Sequence, residues 1–357
     1  MVDVTIPEAL RQQAIWCTTF DSPFTAALCE TMANDFEAGG VIADLTGGWP
    51  TQPIQDALAL RLAGALHAIV LTDPDGSLAK VWPQQGRAWS MAEAWPVARV
   101  TLRERESWAR AFLKSPPQTN EVRRAMGLWP GLCAAAEAFD GPMDVLELGA
   151  SAGLNLSMDR FHYDGGSWQW HSPIAGPRVA LSTQWMGPAP RFPDHVAIRN
   201  RAACDQNPLN TALAEDRLRL RAYIWPDQPE RLERVNAAME IAQAQSITPE
   251  KGDAADWIKA KLAARAKDAL TVVYHSVFFQ YPPQAVRDVI THAIETEGAR
   301  ATPAAPLAWL RFEPGGILGH AQQGANMVLE LIEWPSGRRR VLAELDPHGR
   351  FVHWHGA

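Results

Sequence analysis

Residues 143–155 read MDVLELGASAGLN. A compact apolar run, Met143 to Leu148, stops at Gly149, and a second glycine stands at Gly153. A short apolar run bounded by glycine predicts a buried β-strand that leaves into a tight turn, with helix beyond it. The turn fits two patterns. Gly149-Ala150-Ser151-Ala152-Gly153 has the G-x-S-x-G form that lifts a nucleophilic serine, here Ser151, onto a sharp bend. It also has the form of a glycine-rich strand-to-helix turn that lets a nucleotide-like cofactor come close to backbone N–H groups.

The chain on either side of this stretch differs in kind. Before residue 141 the pattern predicts helices at about 7–17, 22–38, 54–71, 101–114 and 120–139, and no convincing strand. In the third, Ile54, Ala57, Leu58, Ala65, Leu66, Ile69 and Val70 recur at helical spacing. The last opens after SPPQTNE (115–121), where Thr119 or Asn120 can cap the first turn and Pro117 blocks helix before it. Beyond residue 141, strands alternate with helices. FHYDGGSWQW (161–170) predicts a hairpin turning at Asp164-Gly165-Gly166, and RVALSTQW (178–185) and VAIRNRAACD (196–205) predict strands. Amphipathic helices are expected at 228–245, 255–266 and 282–298, around the strand LTVVYHSVFF (270–279). LAWLRFEP (307–314), NMVLELIEW (326–334), RRRVLAELD (338–346) and RFVHWH (350–355) complete the strands. Alternation argues for a largely parallel α/β sheet covered on both faces, and the short final turns for antiparallel pairing at its far edge. The expected architecture is a Rossmann-like α/β domain over 141–357, with an inserted hairpin segment at about 160–195. A helical lid or cap over 1–140 precedes it.

Composition narrows the function. At 357 residues, 47% apolar and 20% charged, the chain can bury a substantial core. A net charge of −7 gives no overall footprint for nucleic acid, and Arg338–Arg340 fall in a predicted hairpin. The four cysteines, Cys17, Cys29, Cys133 and Cys204, form no C-x-x-C pair, which fits a reducing cytoplasm. The first residues lack a secretory pattern, and Arg61 and His67 interrupt the most apolar helix, so neither export nor a membrane span is expected. The fifteen tryptophans, several beside proline, read as plugs at element ends. His353 and His355 share a strand face without a third ligand nearby, so no metal is expected.

The two readings of the glycine turn now separate. A hydrolase elbow lies well inside its sheet, after an H-G-G-G-type loop, whereas this turn leaves the first strand and no such loop precedes it. His348 in DPHGR keeps a serine hydrolase acting through Ser151 open as an alternative. The cofactor reading gains from the order of the later motifs along the chain. Open α/β sheets bind ligands outside the carboxyl ends of their strands. There Gly149, Ser151 and Gly153 shape the turn and Glu147 can accept from a cationic amine. Asp205 in ACDQNPLN can grip ribose hydroxyls, and Asp253 and Ala254 in EKGDAADW bring Trp257 as a flat partner for a purine. His275, Ser276, Gln280 and Tyr281 stand at the exit of VVYHSVFFQYPP.

Residues 143–285 thereby resemble class I S-adenosylmethionine-dependent methyltransferases, which implies that cofactor and a Rossmann-like core. Asp205 lies far beyond the roughly 20-residue interval usual after such a fingerprint, so the 160–195 segment is read as an insertion. Asp164 is nearer but sits in a turn. Through SPPQTNE, LELGASAGLNL, ACDQNPLN, YIWPDQPERL, VVYHSVFFQY, PLAWLRFEP and HGRFVHW, about residues 80–355 are also similar to a bacterial family known as domain of unknown function 2332. That resemblance implies relatives but no activity.

Gln118, Thr119, Asn120 and Glu121 form a polar cluster ahead of a buried helix, which reads either as capping or as ligand contact. His275 is either a hydrogen-bonded core histidine or a proton acceptor, since its ordinary pKa of about 6.5 suits that work. Arg311 and Glu313 alternate on one face, as a mutual ion pair or as a grip on a carboxylate-bearing substrate. The expected function is an S-adenosylmethionine-dependent methyltransferase whose small-molecule acceptor enters beside Asn120, His275 and Tyr281. The remaining alternative is a non-catalytic relative whose site is blocked by Trp168 or Trp257.

Overall fold

The computed structural model describes residues 4–193, 197–320 and 327–356, apart from the side chain of Gln85. Val196 and Asn326, expected to open strands, lie outside the described residues. The chain divides into two compact units, Met1–Thr119 with Ala214–Glu233, and Asn120–Leu213 with Arg234–Ala357. The division therefore falls at Thr119/Asn120 rather than at 140, and a segment beyond residue 213 returns to the helical unit.

That unit contains helices Ile6–Thr19, Pro23–Glu37, Val41–Thr46, Leu58–Thr72, Ser77–Val81, Met91–Glu104, Glu106–Leu113 and Ala214–Ala222. Thr5 and Glu8 close a reciprocal capping box on the first. Leu58–Thr72 is the central helix, and the two polar residues that interrupt it are buried with partners. Arg61 donates to the carbonyls of Asp56 (2.7 Å) and Leu113 (2.8 Å), and His67 Nδ1 lies 3.2 Å from the carbonyl of Ala222. Among the described residues no helix is long and apolar enough to cross a membrane. The helix expected at 101–114 is two helices, the first beginning at Met91 and carrying Pro96 inside it.

The return of residues 214–233 has a specific tie. Asp227 accepts from the Ser22 hydroxyl at 2.6 Å and from Phe24 N–H at 2.9 Å. It supplies from 203 residues away the N-terminal cap of helix Pro23–Glu37, where Ser22 itself makes no side-chain cap bond. Tyr223 lies against Gly64 so closely that a Cβ there would be 2.7 Å from its ring.

Among the described residues, the second unit is built on a nine-stranded sheet and a small three-stranded one. The strands in chain order are β1 (Met143–Leu148), β2 (His162–Asp164), β3 (Gln169–His171), β4 (Ala180–Ser182), β5 (Gln184–Met186) and β6 (Ile198–Asp205). They continue with β7 (Glu250–Lys251), β8 (Leu270–Ser276), β9 (Leu307–Pro314), β10 (Met327–Trp334), β11 (Arg338–Leu345) and β12 (Phe351–Trp354). The large sheet runs β5-β12-β11-β10-β9-β8-β1-β6-β7. Pairing is parallel from β7 through to β9, antiparallel from β9 to β12, and parallel again between β12 and β5. All seven residues of β8 are buried, as befits an apolar run covered on both faces. The predicted hairpin is β2–β3, which with β4 forms the separate small sheet, while β5 joins the large one.

Residues 120–139 are a 3-10 turn, Val122–Arg124, continuing into helix Ala125–Ala136. That helix lies close on the sheet. A Cβ at Gly127 would come within 2.6 Å of Leu345, and one at Gly131 within 2.8 Å of Leu310. Helices Ala254–Ala263 and Gln284–Gly298 cover the other face, around Leu148, Val273, Trp309 and Ile332.

Asp227→Ala removes the remote cap and leaves Ser22, which is fully buried, without its acceptor. The substitution is expected to lower the unfolding free energy by about 1–3 kcal/mol. Urea denaturation monitored by circular dichroism measures this, and an unchanged midpoint contradicts the capping role.

Candidate functional site

β1 pairs with β6 on one edge and β8 on the other, and the chain visits β6 and β7 before returning to β8. The sheet therefore changes its direction of growth at β1, and the loops leaving β1 and β8 diverge there. This is the position where open α/β sheets form a crevice.

The turn leaving β1 is tightly determined. Gly149, Ser151 and Gly153 all have positive φ (69°, 54° and 70°), so every second residue is left-handed. Gly149 and Ala150 N–H both donate to the carbonyl of Cys204 on β6, at 3.0 and 3.1 Å. Ser151 N–H donates to Asp205 Oδ2 at 2.8 Å, and the other carboxylate oxygen accepts from Asn207 N–H at 2.8 Å. The acid predicted at the end of the second core strand thus stands directly against the glycine turn. Both glycines are also required by packing. A Cβ on Gly149 would meet the Phe278 ring at 2.3 Å, and one on Gly153 would meet Ile247 at 2.9 Å.

Asn120 and Glu121 reach this turn from the other side. Asn120 Oδ1 accepts from Leu154 N–H at 2.8 Å, and Asn155 Nδ2 donates to the Glu121 carbonyl at 3.3 Å. Asn120 therefore caps the turn after Gly153 rather than helix Ala125–Ala136. The side chain of Glu121 accepts from Arg123 N–H at 3.1 Å.

Glu147, beside Tyr274 in the β1–β8 register, is 2% exposed. Burial pushes its carboxyl up to about 8, with nearby Asp205 adding to the rise and Tyr274 and Arg124 opposing it. Its Oε2 has no hydrogen-bond partner among the described residues.

On the opposite face of β8, His275 Nδ1 lies 2.6 Å from Glu313 Oε1, and both residues are fully buried. The same oxygen accepts from Phe278 N–H at 2.8 Å and Phe279 N–H at 3.0 Å. Burial lowers the pKa of His275, with Glu313 opposing, so the ring is neutral and donates from Nδ1. His275 Nε2 and Glu313 Oε2 are buried with no partner among the described residues. Phe279 stacks on the imidazole with centroids 4.2 Å apart.

A family model described as "Uncharacterized protein conserved in bacteria (DUF2332)" matches residues 7–354. The chain belongs to this family. No curated protein and no solved structure matches it.

The family match spans both units, but the predicted site residues do not all converge within one. Gln118 and Thr119 belong to the helical unit, whereas Asn120 and Glu121 belong to the sheet unit. Asp253 caps helix Ala254–Ala263, accepting from Ala255 N–H at 2.8 Å and Asp256 N–H at 3.2 Å, with Ala254 as the first helical residue. Trp257 is a core residue rather than an open purine platform, and Lys261 Nζ lies 5.3 Å above its ring. Tyr281, 74% exposed, and Gln280 project from the loop after β8. Arg311 and Glu313 do not pair with each other. Arg311 pairs with the buried Glu330 and stacks 4.5 Å over Trp309, and Glu330 also receives His320 (3.0 Å) and Arg339. The rings of His353 and His355 are 4.7 Å apart, and among the described residues no cluster of three metal-ligating side chains occurs. Tyr274, Phe278 and Phe279 entered no prediction. Their only signal is the aromatic density of VVYHSVFF, which reads equally well as core.

A carboxyl whose folded pKa is raised favours the folded state at low pH. That contribution is complete below its ordinary 4.5 and disappears as pH rises through about 8. Glu147→Gln is therefore expected to flatten the loss of stability between these limits and to be the more stable protein above pH 8. Thermal melts across this range measure it, and parallel pH profiles for the two proteins contradict the burial of a protonated Glu147.

Proposed function

We propose that this chain is an enzyme that binds S-adenosylmethionine outside the carboxyl ends of β1, β6 and β8 and methylates a small-molecule acceptor. The observation that carries the reading is the 2.8 Å hydrogen bond between Ser151 N–H and Asp205. It joins the glycine turn of the first strand to an acid at the end of the neighbouring strand, at the switch point of the sheet. A nucleoside needs both, a backbone it can approach and a carboxylate for ribose hydroxyls. The donor set fits the cofactor's other end as well. Glu147 Oε2 is a buried acceptor without a partner among the described residues, and a cationic amine would both satisfy it and draw its proton off.

Bound S-adenosylmethionine supplies an electrophilic methyl group on a sulfonium. In this reading, Asp205 and Glu147 hold the two polar ends of the ligand and the glycine turn sets its depth. His275, kept neutral by burial and held in the Nδ1–H tautomer by Glu313, has a lone pair at Nε2 to take the acceptor's proton. Transfer otherwise depends on in-line positioning, which the packed turn favours.

One further reading has an observation behind it. Phe278 lies on Gly149 and Trp257 is buried, as a non-catalytic relative with a closed site would require.

Isothermal titration with S-adenosylmethionine and S-adenosylhomocysteine tests the proposal. Both are expected to bind, and Asp205→Ala to weaken each at least tenfold, as loss of a hydrogen bond to a charged group implies. No heat from either ligand at high micromolar concentration overturns it.

A further inference from the structure

Val277, directly after β8, has φ 55°, a left-handed conformation that β-branched residues avoid. The distortion positions its neighbour. Val277 N–H is tied to the carbonyl of Phe312 on β9 at 2.8 Å, and Phe278 N–H to Glu313 at 2.8 Å. Between these anchors the backbone turns so that the Phe278 ring lies against the Cα face of Gly149. The ring also stands edge-on to His275, with centroids 6.0 Å apart. Phe279 is the fixed member of the pair. It is buried and stacked on His275, and its carbonyl accepts from Arg287 at 2.9 Å. Phe278 is only half-buried.

The ring thus occupies the space over Gly149 that a side chain would need, and it also meets the His275 ring edge-on. An aromatic ring in that place excludes any ligand group from the turn. It also covers a dyad that retains two buried polar atoms without partners among the described residues, His275 Nε2 and Glu313 Oε2.

We infer that Phe278 is a gate: it rests on Gly149 in the ligand-free protein and swings outward to admit a nucleoside-bearing ligand and to join its site to His275. The inference rests on the functional reading above for its ligand. The left-handed backbone at Val277 belongs to the closed arrangement and is the strain that opening would release. Any ligand must first displace the ring, so the measured affinity is the intrinsic affinity scaled by the fraction of open molecules.

Two measurements decide it. In isothermal titration with S-adenosylhomocysteine, Phe278→Ala is expected to bind at least tenfold tighter than the natural chain. Val277→Asn, which tolerates a left-handed backbone and so relaxes the closed form, is expected to bind severalfold weaker. Equal or weaker binding by Phe278→Ala makes the ring a wall of the site and overturns the gate. The second measurement observes the ring directly, with and without ligand: 4-fluorophenylalanine placed at position 278 and observed by fluorine NMR. Two ring environments are expected, the outward one growing with S-adenosylhomocysteine and shrinking in Val277→Asn. A single resonance unmoved by either overturns the gate even if the ligand binds. A population that answers to Val277→Asn while no ligand binds keeps the gate and removes the S-adenosylmethionine reading instead.

Discussion

Parallel pairing on both edges of β1 is the constraint that creates the site. β1 is the first strand made, yet its hydrogen-bonding partners on either side come later, β6 on one edge and β8 on the other. The register places Glu147 between Ala203 and Tyr274, and Leu148 between Cys204 and His275. Three strands therefore end side by side, and their loops must part because the chain continues outward in opposite directions. The carbonyl of Cys204, which β1 has no residue left to pair, takes the N–H groups of both Gly149 and Ala150. The turn is thus an extension of the sheet's own hydrogen bonding, not a loop laid over it. The neighbouring Asp205 reaches Ser151 for the same reason.

Three buried carboxylates of this unit differ in how fully their oxygens are satisfied. Glu330 is surrounded by Arg311, Arg339 and His320, and both its oxygens have partners. Three donors on a buried carboxylate offset its desolvation, and cross-strand pairing of Arg311 with Glu330 ties β9 to β10. Glu313 also meets three donors, but all three converge on Oε1, and Oε2 has none among the described residues. Glu147 likewise leaves Oε2 without a partner there, and burial raises its pKa accordingly. The complete cluster lies toward the antiparallel half of the sheet. The incomplete ones flank the switch point, on opposite faces of β1 and β8.

Much of this fold is legible in the sequence because its signals are local. The apolar runs of β1 and β8, the alternation in β9 to β11, the Asp164-Gly165-Gly166 turn and the helix at Gln284–Gly298 all appear where pattern places them. What pattern misses depends on distance. Helix Met91–Glu104 contains Pro96, which locally reads as a break, yet it buries Ala94, Ala98 and Leu102 in the helical unit. Residues 214–233 look like part of the α/β alternation until Asp227 is seen capping a helix 203 residues earlier. The same limit applies at the site. Glu147, Asp205 and the glycines can be placed on strand ends from spacing alone. The partner of His275 cannot, because Arg311 and Glu313 share a face and only the position of β10 decides which of them meets Glu330. Trp257 reads as a ligand platform because composition cannot distinguish an aromatic residue facing a crevice from one facing a core.

The glycine turn itself shows why a single motif supports two incompatible readings. Both a nucleophile elbow and a cofactor turn require a chain to reverse within a few residues of a strand, and both reach for left-handed backbone to do it. Here that backbone recurs at Gly149, Ser151 and Gly153. Glycine also suits the first and last for a second reason, since in this arrangement Phe278 and Ile247 occupy the space a side chain would need. At the middle position a serine is retained at a strain of about 1 kcal/mol. It is held there by the Asp205 bond to its N–H and by Leu209 N–H, which donates to its carbonyl at 3.0 Å. An alternating left-handed backbone gathers N–H groups into a concavity suited to an anion. In this chain the first anion to use it is the protein's own carboxylate, fixed there by the strand that carries it.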